Sequence, residues 1–191
     1  RTEWLKKSTQ EAYTNFIKKV VSATAHQEDI VHPYGGILLH QSGYLDVKSF
    51  LKATRNYLEA QQAYVEADFI YDHLRLGEHV RYQNIAARQV IFCEGPQAKQ
   101  NPFFSTLPFR LVKGELLEVA LHQPLETIYN RQIFVLPKGA NEAIVGATYD
   151  WKDTSVRPTE KAKKVLETRL KSNFNLSYIV RDQQAGIRPA T

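Results

Sequence analysis

The chain has 191 residues, 43% of them hydrophobic and 24% charged, with a formal net charge of +5. That composition is ordinary for a globular chain with one good core or two small ones, and no run approaches the roughly 18 apolar residues that cross a bilayer. The N-terminal RTEWLKKSTQEAY holds no apolar segment to act as a secretory signal, so a cytoplasmic address is expected.

One cysteine, Cys93, excludes an internal disulfide framework and any multi-cysteine zinc site; inside the apolar run VIFC it reads as a packing residue. The basic residues are spread out, with only short doublets such as Lys18-Lys19 and Lys163-Lys164. A mildly basic, solvated surface is therefore expected rather than a nucleic-acid partner, which needs its charge clustered on one face. The chain holds no methionine and begins with Arg1, and it reads as an excerpt of a longer polypeptide.

In chain order, Ser8 with Glu11 matches a capping box. Tyr13, Phe16, Ile17 and Val20 follow at helical spacing, which predicts an amphipathic helix over 9–22. The stretch HPYGGILLHQSGYLD predicts turns around a short strand at 37–39, and Asp46 caps a helix VKSFLKATRNYLEA with Val47, Phe50, Leu51 and Leu58 on one side. AYVEADFIY and HVRYQNI are rich in β-branched and aromatic residues and predict strands, with LRLGE as a turn. RQVIFCEG, over 88–95, is apolar at Val90, Ile91, Phe92 and Cys93 without alternation, the pattern of a strand covered on both faces in a parallel sheet.

PFRLVKGELLEVAL, QIFVLP and EAIVGATYDW then predict antiparallel strands separated by loops with Pro124, Pro137, Gly139 and Asn141. PTEKAKKVLETRL predicts a helix started by Pro158 or Thr159, with Ala162, Val165, Leu166 and Leu170 inward, and SYIVRDQQAGI a last strand. There is no internal repeat, no low-complexity tract and no linker dividing two folding units. The fold class is α+β, a mixed, largely antiparallel sheet flanked by helices.

Most catalytic signatures are missing. Six histidines form neither an i, i+4 helical pair nor HExxH, so no metal is expected. There is no GxSxG elbow for nucleophilic catalysis. Neither YGGILL nor VKGELL fits GxGxxG or GxxxxGK[ST], so the chain carries no nucleotide fingerprint. A strand needing a parallel sheet, in a chain of antiparallel material, points to partners in another domain. Arg188, within a Gly-Ile-Arg-Pro turn, offers a rigid fork of donors suited to a carboxylate, its backbone fixed by Gly186 and Pro189; an arginine before a proline is also commonly a plain surface residue.

The order of GGILLHQSGYLDVKSFLKA, RQVIFCEGP, PFRLVKGELLEV, IFVLPKGANEAIVGATYDWKDTSVRPTEKA and QQAGIRPAT resembles the D-amino-acid oxidase superfamily of FAD-dependent oxidoreductases, and within it the glycine oxidase branch. The resemblance runs from about Pro33 to the end. It implies that residues 1–191 form a substrate domain without the N-terminal Rossmann-like FAD domain, to which only the strand and turn at 88–96 would belong. On this resemblance the chain stops where the polypeptide would return to the flavin domain.

The resemblance also implies roles. Arg188 falls on the arginine that binds a substrate carboxylate, and Phe134 and Tyr149 are candidate pocket walls, Tyr149 being equally readable as a core tyrosine. The Cys93-Glu94-Gly95 turn would approach FAD with its backbone, with Gly186 and Pro189 near the same cofactor and main-chain groups around Phe69 and Ile70 near its adenine half. The implied reaction is hydride transfer from an amine or amino acid to flavin, with the isolated chain inactive and binding FAD weakly or not at all. Two alternatives stay open: an oxidase domain acting on a modified tRNA nucleoside, and a non-catalytic binding module.

Overall fold

The computed structural model describes residues 2–190. Its elements are helices α1 (Thr2–Ser8) and α2 (Glu11–Thr14), strands β1 (Ile17–Val21) and β2 (Gly36–Leu39), helix α3 (Val47–Ala60), and strands β3 (Leu74–Arg75), β4 (Val80–Tyr82) and β5 (Ile85–Ala87). They continue with strands β6 (Arg110–Leu121), β7 (Tyr129–Arg131), β8 (Ile133–Pro137) and β9 (Glu142–Gly146), helix α4 (Glu160–Asn173) and strand β10 (Tyr178–Ala190). The α+β class holds, and the strand pairings among the described residues are antiparallel. The chain divides into two compact units, residues 2–43 with 110–190, and residues 44–109, although no linker sequence marks the division.

The first unit is built on a five-stranded sheet in the order β10-β6-β9-β8-β7. Alternation along β6 sends Leu117, Val119 and Leu121 to one face, where they meet Ile133 and Val135 of β8 and Ala143 and Val145 of β9. Helix α4 closes this face with Leu166 and Leu170, and Ala162 is also buried, so three of the four residues expected inward are buried and Val165 is half-buried. Thr159 caps α4 by accepting from the Ala162 amide at 3.2 Å.

Toward the start of β6 the same face turns polar. Lys113 and Glu115 are only 1% and 3% exposed. Lys113 Nζ donates to Asp153 Oδ2 at 2.6 Å, and Glu115 accepts from the Thr159 amide at 2.7 Å, the Thr159 hydroxyl at 2.8 Å and Gln183 Nε2 at 2.8 Å. Each buried charge is thus paired and bonded, as burial demands. The network ties residues 153–159 and the start of α4 to β6 and β10.

Three expectations are corrected in this unit. The helix over 9–22 is instead a short turn of helix, α2, followed by β1; Ile17, Val20 and Val21 are β-branched, and pairing with Leu39, Ile37 and Gly36 of β2 outweighs the helical spacing. Ser8 does not close a capping box: its hydroxyl donates to the Leu5 carbonyl at 2.8 Å. Gly186–Pro189 is no turn, because β10 runs through it, pairing Gly186 with Gly114 and Pro189 with Leu111. Proline fits there because β10 lies at the end of the strand order, where its missing N–H takes no ladder partner.

The second unit holds α3, capped as expected by Asp46 accepting from the Ser49 amide at 3.2 Å, and the three-stranded meander β3-β4-β5. AYVEADFIY forms no strand and runs into a single 3-10 turn at Tyr71–His73, and Phe69 stacks on Tyr82 at 4.4 Å between centroids. The expected two-sided burial of 88–95 is also corrected. Residues 88–94 belong to no strand among the described residues; Val90, Phe92 and Glu94 are half-buried, while Ile91, at 81% exposed, and Cys93 face outward. An apolar run is buried on both faces only where two layers cover it, and here one exists, the rings of Phe69, Tyr71, Phe103 and Phe104 around Phe92.

Candidate functional site

The face of the five-stranded sheet opposite α4 follows from register alone. On β6 it carries Arg110, Val112, Gly114, Leu116 and Glu118; across from these lie Arg188, Gly186 and Gln184 on β10, Gly146 on β9, Phe134 on β8 and Asn130 on β7. The bridge between Lys113 and Asp150 sets Tyr149 beside Gly114 and Trp151 beside Val112 on this same face. The three residues expected to be catalytic, Arg188, Tyr149 and Phe134, therefore share one surface, brought together from β10, the segment after β9, and β8.

Arg188 does not stand out into water alone. Its side chain reaches over β6 and lies on the bare backbone of Gly114, where any Cβ would run into the guanidinium. Its Cζ sits 4.8 Å from the ring centroid of Tyr149, a cation–π contact, and Nη1 makes a long 3.5 Å approach to the Thr148 carbonyl. Among the described residues no carboxylate pairs with it. Tyr149, 69% exposed, is not a core tyrosine. Phe134 covers another glycine of the face, its Cζ 2.8 Å from where a Gly146 Cβ would stand.

A cleft of about 930 Å³ opens between the β1–β2 hairpin and β7. Its lining includes Ile37, Leu39, Tyr129, Arg131 and Asn130, the last being the cross-strand partner of Phe134. That volume falls within the range of small-molecule sites. Inside it Tyr129 donates to Asp29 Oδ2 at 2.8 Å; burial, then this carboxylate, push the phenol up, so it remains a protonated donor.

The residues expected near a cofactor divide between the two units. Gly186 lies opposite Gly114, and a Cβ there would meet nothing, so bare backbone continues the floor beside the Arg188 guanidinium; Pro189 is next along β10. In the second unit Gly95 has φ +56° and open space above it, a place where backbone can be approached closely. Cys93 is exposed, whereas the carboxylate of Glu94 is committed inward, accepting from the Tyr71 hydroxyl and from Asn101 Nδ2. The Glu94 contact raises the Tyr71 phenol. Ile70 uses its N–H on the Tyr82 hydroxyl at 3.1 Å and its carbonyl on the His73 amide.

Sequence reasoning missed three features. Gly114 is the seat of the guanidinium, and its signal was a glycine inside an apolar strand, which marks a close approach. Lys113 and Glu115, two charges at strand spacing, hold the segment carrying Tyr149. Arg110 with Trp151 makes a second cation–π pair, with Cζ 4.9 Å from the ring centroid. Only the bridge between Lys113 and Asp150 brings that pair together, so nothing local announced it.

A helix-backed antiparallel sheet whose other face carries a guanidinium without a described carboxylate, aromatic rings and bare glycine backbone defines an open-faced α+β sheet domain. The sequence matches the FAD dependent oxidoreductase family over residues 2–191, and the chain belongs to that family. The fold is similar to glycine oxidase from Geobacillus kaustophilus, with a TM-score of 0.65 and 17% identity over 91% of this chain and 51% of that one. It is likewise similar to glycine oxidase from Bacillus cereus ATCC 14579, with a TM-score of 0.65 and 13% identity over 98% of this chain and 56% of that one. The chain thus spans about half the length of these structures.

FAD is the cofactor of the family, and Gly186, where a Cβ would meet nothing, leaves bare backbone open to a flat group beside the Arg188 guanidinium. No described helix is long and apolar enough to cross a membrane, and no described cluster of three His, Cys, Asp or Glu residues could hold a metal ion.

Proposed function

We propose that this chain is the substrate-binding part of an FAD-dependent oxidoreductase that oxidises an amine or amino acid. The observation that supports it is the state of Arg188: seated over Gly114, steadied by Tyr149 and paired with no described carboxylate. A guanidinium so placed receives a substrate carboxylate through its N–H fork at little cost in ordering. Phe134 and Tyr149 are the aromatic walls of the site. Bound FAD would supply the oxidation itself, as acceptor of a hydride from the carbon bearing nitrogen.

On the same reading the backbone at 93–95, Gly186 and Pro189 lie close to FAD, and 88–96 completes a flavin-binding domain of the same polypeptide. The isolated chain is then inactive, with weak FAD binding at most. The partners are a small amine or amino-acid substrate and that flavin-binding domain.

The test uses the complete FAD-loaded protein and anaerobic flavin reduction by a panel of amino acids and secondary amines. Arg188→Met is expected to lower kcat/KM for amino acids by roughly a hundredfold, the scale of a lost charge-assisted bidentate contact, with flavin content unchanged. Gly114→Ala, which displaces the guanidinium while leaving it on the chain, should raise KM more than it lowers kcat. Undiminished amino-acid oxidation by Arg188→Met, or a panel in which nothing reduces the flavin, would refute the reading.

A further inference from the structure

The open sheet face holds two guanidinia of the same kind. Arg110 lies two residues before Val112, the cross-strand partner of Arg188, and both point to the side away from α4. Each is held over an aromatic ring of the segment after β9, Arg188 over Tyr149 and Arg110 over Trp151. Trp151 is 51% exposed, so its ring is a platform on the surface rather than part of the core.

A ring face attracts a cation but accepts none of the directed hydrogen bonds that a guanidinium can give, so the donors of both stay available. Among the described residues Arg110 makes no side-chain hydrogen bond or ion pair, and Arg188 makes only its long contact to Thr148. The acidic groups of this face lie farther along, beyond Leu116: Glu118 and Asp182 both accept from Gln184 Nε2, and Lys138 also faces Glu118 at 3.8 Å. One end of the face is therefore cationic and uncompensated.

The spacing bears on what fits. Arg188 is seated in the row of Gly114 and Tyr149, and Arg110 is held in the row of Val112 and Trp151. Adjacent rows on one face are two residues apart, roughly 7 Å. Two like charges at that distance repel, and with no described carboxylate between them the arrangement favours a ligand bearing two anionic groups.

We propose that the substrate is an amine carrying two carboxylates, such as a dicarboxylic amino acid, with Arg188 taking the carboxylate next to the reacting carbon and Arg110 the distal one. This rests on the function proposed above. It makes Arg110 a specificity-determining residue and Trp151 the residue that positions it.

The experiment compares flavin reduction of the complete FAD-loaded protein by glutamate against glutamine and aspartate against asparagine, each as both enantiomers. The diacid is expected to exceed its amide by about tenfold or more in kcat/KM, the scale of one charge-assisted contact. Arg110→Met should bring that ratio close to one, and Arg110→Lys should restore part of it. By calorimetry, succinate should bind more tightly than propionate to the unmodified protein, with the difference lost in Arg110→Met. Equal rates for acid and amide, or a preference that survives Arg110→Met, overturn the inference while leaving the function proposed above intact. If no amine or amino acid reduces the flavin, both fall together.

Discussion

Helices α3 and α4 are both fourteen residues long and both carry an apolar stripe and a side-chain N-cap, yet they end in opposite states. Helix α4 buries Ala162, Leu166 and Leu170 against the sheet, whereas α3 buries no residue and leaves Val47, Phe50, Leu51 and Tyr57 each more than half exposed. The same contrast holds between the units. The sheet unit encloses a continuous core, while in residues 44–109 Leu74 and Asn101 alone are buried. Amphipathicity says which side of a helix wants covering; whether it is covered depends on what the chain brings opposite, and burial rather than pattern carries the stability.

The largest effect expected from this contrast is at the matched leucines. Leu166→Ala should destabilise the protein by about 2–5 kcal/mol in urea unfolding, and Leu51→Ala by no more than about 0.5 kcal/mol. Equal losses would mean that α3 has a covering layer in solution. The caps sharpen the comparison. Thr159→Ala removes both the α4 cap and a donor to buried Glu115, a loss of about 1–2 kcal/mol in global unfolding. Asp46→Ala, at about 1 kcal/mol, should appear only in the exchange of α3 amides, because that helix opens locally.

The smallest effect expected is at low pH, where the buried lysine sets the sign. The hydrogen bond from Lys113, followed by the Ser155 amide, depresses the Asp153 carboxyl from 3.8 to about 2. A depressed folded value means stability that is complete above the unfolded value near 3.8 and lost as pH falls through about 2. Lys113→Met should therefore shift the acid unfolding midpoint upward, followed by circular dichroism, because Asp153 then loses the donor that holds its carboxyl down.

Legibility tracked locality. β6, β8, β9, α4 and the Asp46 cap were readable because their signals sit within one element. β1 was misread as helix because its register with β2 lies some twenty residues away, and 88–94 because an apolar run implies two covering layers without supplying them. Arg188, Tyr149 and Phe134 were named from a resemblance. That they share a face follows only from the pairings of β10 with β6, of β6 with β9 and of β8 with β9.

By itself the amino-acid order determined the α+β class, the antiparallel strands, the helix backing them and the family, because period, caps and motif order are properties of short stretches. Tertiary structure alone decided that a glycine inside β6 would seat a guanidinium, that Lys113 and Glu115 would be buried with partners some 40 residues away, and that two arginines would rest on neighbouring rings. Those contacts exist only after strands distant in the chain fall into register, and register is a collective outcome of packing.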